Sequence, residues 1–184
     1  GELISKFGER QTLQNFHTDC IAKINTQINS ELTSAYVYLS MASFLRQDNV
    51  ALLGFAKYFS QAFTEEIEHA EKFIQYLSTR GGQLQLSAIA APAKHEWESI
   101  EQILADALSM EKHLNQELLA LHACASSHGD AHLSDFLDAN YLQEQVQAIK
   151  QLADLITIVK RLGCACVYIL NRDMMNGVYS SHGK

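Results

Sequence analysis

The sequence predicts an all-α protein, a four-helix bundle with one long crossover connection and a short fifth helix at the C-terminus. The 184 residues include one proline and nine glycines, so few residues interrupt regular helix. Four long segments repeat apolar residues at helical spacing. The single proline, Pro92, lies in the stretch 83–95 between the second and third segments, which is long for a helix–helix link. Such a link lets the third helix run parallel to the second.

The first helix is predicted over about 17–46, after a polar and weakly patterned N-terminal arm at 1–15. Glu31 lies among its apolar positions, where a buried carboxylate needs a partner. Tyr38 follows two turns later on the same face. The apolar positions recur every three or four residues: Ile21, Ile24, Ile28, Leu32, Tyr36, Leu39 and Phe44.

The second helix is predicted over about 50–79, after a polar turn at 47–49, and the glycines of Arg80-Gly81-Gly82 end it. Its stretch 63–73 contains one histidine, His69, and four glutamates: Glu65, Glu66, Glu68 and Glu71. Helical residues three or four apart are neighbours, so Glu65, Glu66 and His69 share a small volume. Carboxylate-bridged metal pairs in helix bundles use this Glu-x-x-His spacing, although on one helix alone a solvated acidic face explains it equally well.

The third and fourth helices are predicted over about 97–127 and 131–162. Each carries one polar residue at or beside its apolar stripe, Glu111 in the third and Gln145 in the fourth. The bundle is therefore predicted to occupy 16–163. The fifth helix, at about 164–175 in the C-terminal segment 164–184, is almost wholly apolar, so other copies of the chain are expected to cover it.

Composition excludes several classes of partner. The formal charge is −7 with no basic block, so we expect no nucleic-acid partner. No apolar run reaches the roughly 18–20 residues that span a bilayer, and no secretory signal is visible. The four cysteines form no Cys-x-x-Cys framework, which predicts free thiols and a cytoplasmic protein, with secreted or organellar forms left open.

Polar groups from all four long helices are thus predicted to meet at the centre of the bundle. Unpaired buried carboxylates repel one another, and two divalent cations would neutralise them. Oxygen-rich ligation with one imidazole suits iron(II) or manganese better than zinc. The predicted residues are Glu31, Glu65, Glu66, His69, Glu111 and Gln145, with Tyr38 as a hydrogen-bond donor to a ligand.

The chain resembles the eukaryotic ferritins of the heavy, iron-oxidising type over roughly residues 15–163. The resemblance rests on segments such as Tyr36-Val37-Tyr38-Leu39-Ser40-Met41, Glu65-Glu66-Ile67-Glu68-His69-Ala70-Glu71-Lys72 and Tyr141-Leu142-Gln143-Glu144-Gln145-Val146. It implies a ferroxidase that oxidises Fe(II) with dioxygen at two iron sites per subunit. The first site would use Glu31, Glu66 and His69. The second would use Glu65, Glu66 and Glu111, with Glu66 bridging, Gln145 nearby and Tyr38 as the tyrosine of the oxidation centre.

The resemblance also implies a storage surface and an entry route for iron. Glu68 and Glu71 would face a shell cavity and seed the Fe(III) mineral, although a solvated helix face has the same sequence. Asp135 and Asp138 would line the three-fold pore, and the helix dipole alone also favours acidic residues near the start of a helix. His122, His128 and His132 are candidates for passing cations along. The fifth helix, with Cys164-Ala165-Cys166, Met174 and Met175, departs most from the family.

The implied assembly is a homo-oligomer of 24 subunits with octahedral symmetry, which could also co-assemble with other ferritin subunits. The fourth helix lacks a second Glu-x-x-His, since Gln145-Val146-Gln147-Ala148 occupies that place. This predicts a weaker second site, which oxidises iron and releases it. Two alternatives stay open: a catalytically passive shell subunit and, less well supported, a di-iron peroxidase of the rubrerythrin kind.

Overall fold

The computed structural model of the chain describes residues 8–179, with the backbone alone at Cys164. Within this range the regular structure is entirely helical, which confirms the predicted fold class. A π-helical segment at Asp138–Leu142 joins the two α-helices that precede and follow it, Ala131–Leu137 and Gln143–Leu162. The α-helices are α1 (Thr18–Leu45), α2 (Leu53–Arg80), α3 (Ile100–Ser127), α4 (Ala131–Leu137), α5 (Gln143–Leu162) and α6 (Cys164–Met175).

The crossover between α2 and α3 runs along α1 in the same direction as α1. Asn25 near the start of α1 donates to the Gln83 carbonyl (2.9 Å), and Ser40 near its end donates to the Lys94 carbonyl (3.3 Å). Because α1 and α2 are antiparallel, the crossover returns the chain to the end of the bundle where α2 began. Helix α3 is therefore parallel to α2, as predicted from the length of the link.

The predicted fourth helix over 131–162 is present as one unbroken run of helical residues, but it is not α-helical throughout. The chain there forms α4, then a π-helical segment of 5 residues, then α5. A π-turn holds more residues than an α-turn, so it rotates the two flanking helices relative to each other. The inward faces of both α4 and α5 are thereby kept towards the core.

The apolar core consists of two clusters at opposite ends of the bundle, with a polar layer between them. One cluster includes Phe59 and Leu104, and the other includes Phe73 and Leu118, all nearly inaccessible to solvent. Some residues of the predicted apolar faces instead point outwards in the single subunit. These are Tyr36 (45 % exposed) and Leu39 (41 %).

Helix α6 docks on its own subunit and supplies the N-terminal cap of α2. The residue before α2, Leu52, has no capping side chain. Instead Asn171 of α6 accepts hydrogen bonds from the backbone N–H groups of Gly54 (2.8 Å) and Phe55 (3.2 Å). A Cβ at Gly54 would lie 1.7 Å from the Asn171 carbonyl oxygen, so only glycine allows this close approach.

One face of α6 is buried against its own bundle through Cys166, Leu170 and Met174. The expectation that other copies must cover the whole helix is therefore wrong for this face. Tyr168 (73 % exposed) and Ile169 (48 %) on the other face remain accessible in the single subunit.

The described part of the N-terminal arm, residues 8–15, packs on the end of the bundle. Arg10 donates to the carbonyl of Gly81 (3.3 Å), and Arg80 donates to the carbonyl of Asn15 (3.0 Å). Gly81 ends α2 in the left-handed conformation, with φ 78°. None of the described helices is both long and apolar enough to cross a membrane.

Candidate metal centre

A layer of polar side chains crosses the middle of the bundle, between the two apolar clusters. Each long helix contributes at least one of them, and none is more than 5 % exposed. Burying so many unpaired polar groups is costly unless they bind one another or a ligand. The members are Glu31 and Tyr38 from α1, Glu66 and His69 from α2, Glu111 from α3 and Gln145 from α5.

Three of these residues converge on one point. One ligand atom from each of Glu31, Glu66 and His69 lies within 4.8 Å of the other two. The Nδ1 atom of His69 is 3.4 Å from Oε2 of Glu66, because the two residues are one helical turn apart. Gln27, one turn before Glu31, donates to its Oε1 at 2.7 Å and fixes that carboxylate.

Glu66 lies between two other carboxylates, within hydrogen-bonding reach of both Glu31 and Glu111. Glu111 is held on its other sides by Tyr38 and Gln145. Tyr38 donates from its hydroxyl to Oε1, and Gln145 donates to Oε2 and to the Glu111 carbonyl (2.9 Å). A carboxylate in the position of Glu66 can contact one cation on the Glu31 side and another on the Glu111 side.

The electrostatics of this layer favour cations. Burial, reinforced by the neighbouring Glu66, raises the pKa of Glu31 well above its ordinary value. Burial and the nearby Glu111 do the same to the pKa of Glu66. Among the described residues no lysine or arginine forms a salt bridge with Glu31, Glu66 or Glu111. Divalent cations would supply the missing positive charge.

His69 connects the polar layer to α5. Its Nε2 lies 3.0 Å from Oε2 of Glu144. Burial lowers the pKa of His69, but the hydrogen bond to Glu144 and the charge of Glu31 outweigh it, so the pKa is raised overall. Tyr141 donates to the His69 carbonyl at 2.9 Å and fixes the backbone there. With Nε2 engaged by Glu144, Nδ1 is the nitrogen directed towards Glu66.

The other predicted residues lie further out. Glu65 is half-buried beside the layer and outside the compact three-residue group, although its charge raises the pKa of Glu66. Glu68 and Glu71 are exposed on α2. Asp135 and Asp138 are exposed at the end of α4 and the start of the π-helical segment.

The three histidines predicted near the acidic pair have different partners. His122 is 3.4 Å from Asp138 and so lies with that pair. His132 lies 3.1 Å from the Tyr76 hydroxyl. His128 contacts Asp19 at the start of α1.

A second group of ligand-type side chains, His17, Asp19 and His128, lies at the surface. The two imidazole rings stack with centroids 3.6 Å apart, and His17 Nδ1 accepts the Asp19 backbone N–H as the N-cap of α1. Helix capping and ring stacking account for this group without a metal ion.

Sequence reasoning missed the roles of Gln27, Tyr141 and Glu144. A helical-face argument could have found Gln27, which is four residues before Glu31 on the same face. Glu144 contacts His69 because the π-helical segment rotates α5 relative to α4. A continuous α-helix would lack that rotation.

A helical bundle with a buried layer of carboxylates, one histidine and one Glu-x-x-His pair has the architecture of the ferritin-like carboxylate metal proteins. Comparison with known proteins agrees. The Ferritin-like domain family matches residues 21–162. A curated relative, the ferritin lower subunit of Aquarana catesbeiana, is 47 % identical over 154 residues, which cover 84 % of this chain and 89 % of the relative. The chain therefore belongs to the ferritin family, whose members store iron in shells built from several subunits.

Proposed function

We propose that this chain is a ferroxidase-active, heavy-type ferritin subunit, which oxidises Fe(II) with dioxygen inside the bundle and stores the Fe(III) product as a mineral within a hollow shell. The observation that carries the proposal is the buried cluster of Glu31, Glu66 and His69, whose ligand atoms lie within 4.8 Å of one another. Burying two carboxylates and an imidazole together is costly, and bound cations would neutralise the two carboxylates.

Each residue of the layer has a distinct proposed role towards the substrate iron. Glu31, Glu66 and His69 would bind the first Fe(II). Glu66, Glu111 and Glu65 would bind the second, so that Glu66 bridges the two. This arrangement holds two one-electron donors close enough to reduce one dioxygen molecule.

Tyr38 and Gln145 are proposed to orient the carboxylate of the second site. Both donate hydrogen bonds to Glu111, which limits the directions in which its oxygens can bind iron. Gln145 is a neutral amide where a second Glu-x-x-His would place charge, so the second iron is held by fewer anionic ligands. We therefore propose that the centre releases oxidised iron and turns over.

The exposed acidic residues are proposed to serve iron before and after oxidation. Asp135 and Asp138, with His122 beside Asp138, would guide Fe(II) towards the interior at a three-fold pore. Glu68 and Glu71, exposed on α2, would seed the mineral. Replacing Glu68 and Glu71 together by alanine should slow growth of the mineral and leave oxidation of the first two Fe(II) per subunit unchanged.

The shell is proposed to contain 24 subunits with octahedral symmetry. Tyr36 and Leu39 on α1 and Tyr168 and Ile169 on α6 leave apolar area exposed in the single subunit, and subunit contacts would bury it. Sedimentation velocity of the purified chain tests this. A monomer or dimer at micromolar concentration would contradict it.

Stopped-flow oxidation of two Fe(II) per purified subunit tests the central proposal. His69→Ala should lower the initial rate at least tenfold, because the first site loses its nitrogen ligand. His113→Ala is the matched control, because His113 is an exposed histidine on α3, and it should keep the wild-type rate. If the wild-type chain oxidises iron no faster than buffer, the alternative of a catalytically passive shell subunit is correct.

A further inference from the structure

Two thiols meet at the end of the bundle opposite α6, away from the metal centre. Cys20 is on the first turn of α1 and Cys124 is on the last turn of α3, where these antiparallel helices come together. Their sulfur atoms are 3.5 Å apart. Cys20 is completely buried, and Cys124 is half-buried. The two residues are 104 positions apart in the chain, so only the fold brings them together.

We propose that Cys20 and Cys124 form a redox-sensitive pair, which hydrogen peroxide converts into an intrasubunit disulfide linking α1 to α3. A disulfide has a sulfur–sulfur distance of about 2.05 Å, so the sulfurs must approach by roughly 1.5 Å. Rotation of the two side chains, with any accompanying movement of α1 and α3, would have to supply this approach. This pair is independent of the proposed iron chemistry.

The two cysteines have different surroundings, which assigns them different parts in the reaction. Cys124 is the thiol that solvent can reach, so it meets peroxide first. Burial, together with the hydrogen bond to Cys124, raises the pKa of Cys20 to about 12. The thiol form of Cys20 therefore predominates, and Cys20 is suited to react second, with an oxidised neighbour already in contact.

The reaction balances without any other oxidant. The Cys124 thiolate attacks peroxide: a sulfur–oxygen bond forms, the oxygen–oxygen bond breaks, and the leaving hydroxide takes up a proton to give water. The Cys20 sulfur then attacks the Cys124 sulfenic acid. A sulfur–sulfur bond forms, the sulfur–oxygen bond breaks, and the hydroxide leaves as water with the Cys20 proton. Two thiols are oxidised and one peroxide is reduced to two waters.

The disulfide would join the elements that meet at this end of the subunit. The last turn of α3 leads directly into Asp130, which caps α4 and pairs with Arg80 at the end of α2 (3.0 Å). A covalent link between α1 and α3 would therefore restrain the junction at which α4 begins. It would close a loop of about one hundred residues, the kind that restricts the unfolded chain most strongly.

Peptide mapping of the full-length, metal-free, assembled protein tests the proposal. Trypsin cleaves after lysine and arginine, so Cys20 lies in the peptide 11–23, Cys124 in 113–150, and Cys164 and Cys166 in 162–172. The protein is treated with one equivalent of hydrogen peroxide per subunit, denatured with excess iodoacetamide and digested without reductant. We expect the peptides 11–23 and 113–150 to be joined, with a loss of about 2 Da relative to the two thiols, and to separate on reduction.

Two variants distinguish the parts of the two thiols. In Cys20→Ser, Cys124 should stop at the sulfenic acid and be trapped by dimedone, since its partner is missing. In Cys124→Ser, Cys20 should stay reduced and be fully alkylated after denaturation. The proposal is overturned if Cys20 is recovered unlinked after Cys124 has been oxidised. It is equally overturned if Cys124 is linked to Cys166 or to Cys124 of another subunit.

Discussion

Replacing Glu31 by glutamine should stabilise the metal-free protein and at the same time remove its capacity to oxidise iron. Glutamine keeps the shape of the side chain and can still accept the hydrogen bond that Gln27 donates to Oε1. The substitution removes one ionisable group from a layer in which Glu66 and Glu111 remain. A residue that binds a substrate cation is expected to cost stability when the cation is absent.

The magnitude follows from the geometry and from the direction of the pKa shift. Burial and the charge of Glu66 raise the pKa of Glu31 in the folded protein, whereas the unfolded value is about 4.3. The folded state therefore binds this proton more tightly, so stability is lost as the pH rises from the unfolded pKa through the folded pKa. Two like charges no more than 4.8 Å apart repel by at least about 3.5 kcal/mol at an effective dielectric constant of about 20.

The charge of His69 offsets part of this repulsion, because it lowers the pKa of Glu31. We therefore expect Glu31→Gln to raise the free energy of unfolding by roughly 1–3 kcal/mol at pH 8. The gain should shrink towards zero near pH 4, where the carboxyl group is as neutral as the amide.

Scanning calorimetry of the chelator-treated, assembled protein at pH 5 and pH 8, at one fixed scan rate, measures the difference. Glu68→Gln is the matched control, because Glu68 is an exposed glutamate of α2 beside the same layer, and it should change stability little at either pH. In stopped flow, Glu31→Gln should oxidise iron at least tenfold more slowly than wild type. A variant less stable than wild type at pH 8 would refute the reasoning, since Glu31 would then be a stabilising ion-pair partner.

Three further outcomes follow from the structure. Asp135→Ala combined with Asp138→Ala should slow oxidation at limiting Fe(II) without altering assembly by sedimentation, and an unchanged rate would contradict the proposed entry route. Tyr38→Phe should slow oxidation and lower stability by about 1–3 kcal/mol in calorimetry, because a buried carboxylate loses its donor. Gly54→Ala should lower the unfolding midpoint more than Asn171→Ala does. The methyl group added at Gly54 displaces α6, whereas Asn171→Ala removes only a helix cap worth about 1 kcal/mol. A larger effect of Asn171→Ala would contradict the close approach of Gly54 to α6.

The sequence could predict a buried polar layer because helical spacing places each of its members on or beside the apolar face of its helix. Glu66 and His69 share a face of one helix, and the remaining members each lie on the apolar face of another helix. Packing four apolar faces against one another brings such residues to the bundle axis. The convergence of Glu31, Glu66 and His69 within 4.8 Å agrees with this argument. Their roles towards iron stay a prediction until oxidation is measured.

Contacts between segments distant in the chain could not be predicted in the same way. Helix α2 was expected to begin at about residue 50, directly after the polar turn 47–49, yet it begins at Leu53 and Asn171 caps it from α6. Nothing local in the sequence relates positions that are 117 residues apart. The proximity of Cys20 and Cys124 could not be predicted for the same reason, because it depends on the position of α1 along the axis of α3.

The π-helical segment could have been predicted from the spacing of apolar residues in the fourth helix, although a general helical pattern does not reveal it. Leu133, Leu137, Tyr141 and Gln145 are all buried and recur every four residues. Three α-helical turns take about 10.8 residues, so these twelve positions hold about one residue too many for an unbroken α-helix. A π-turn absorbs such an extra residue.

The position of this segment has a direct consequence for the metal centre. Tyr141 lies within it and donates to the His69 carbonyl, and Gln145 lies just after it and donates to Glu111. In an unbroken α-helix, the three steps of four residues from Leu133 to Gln145 would drift by about 120°, so Gln145 would rotate away from the face on which Leu133 is buried. The π-helical turn therefore lets the same run of helix keep Leu133 in the core and contact α3 through Gln145. The interruption of the fourth helix is thus part of how the chain builds the centre.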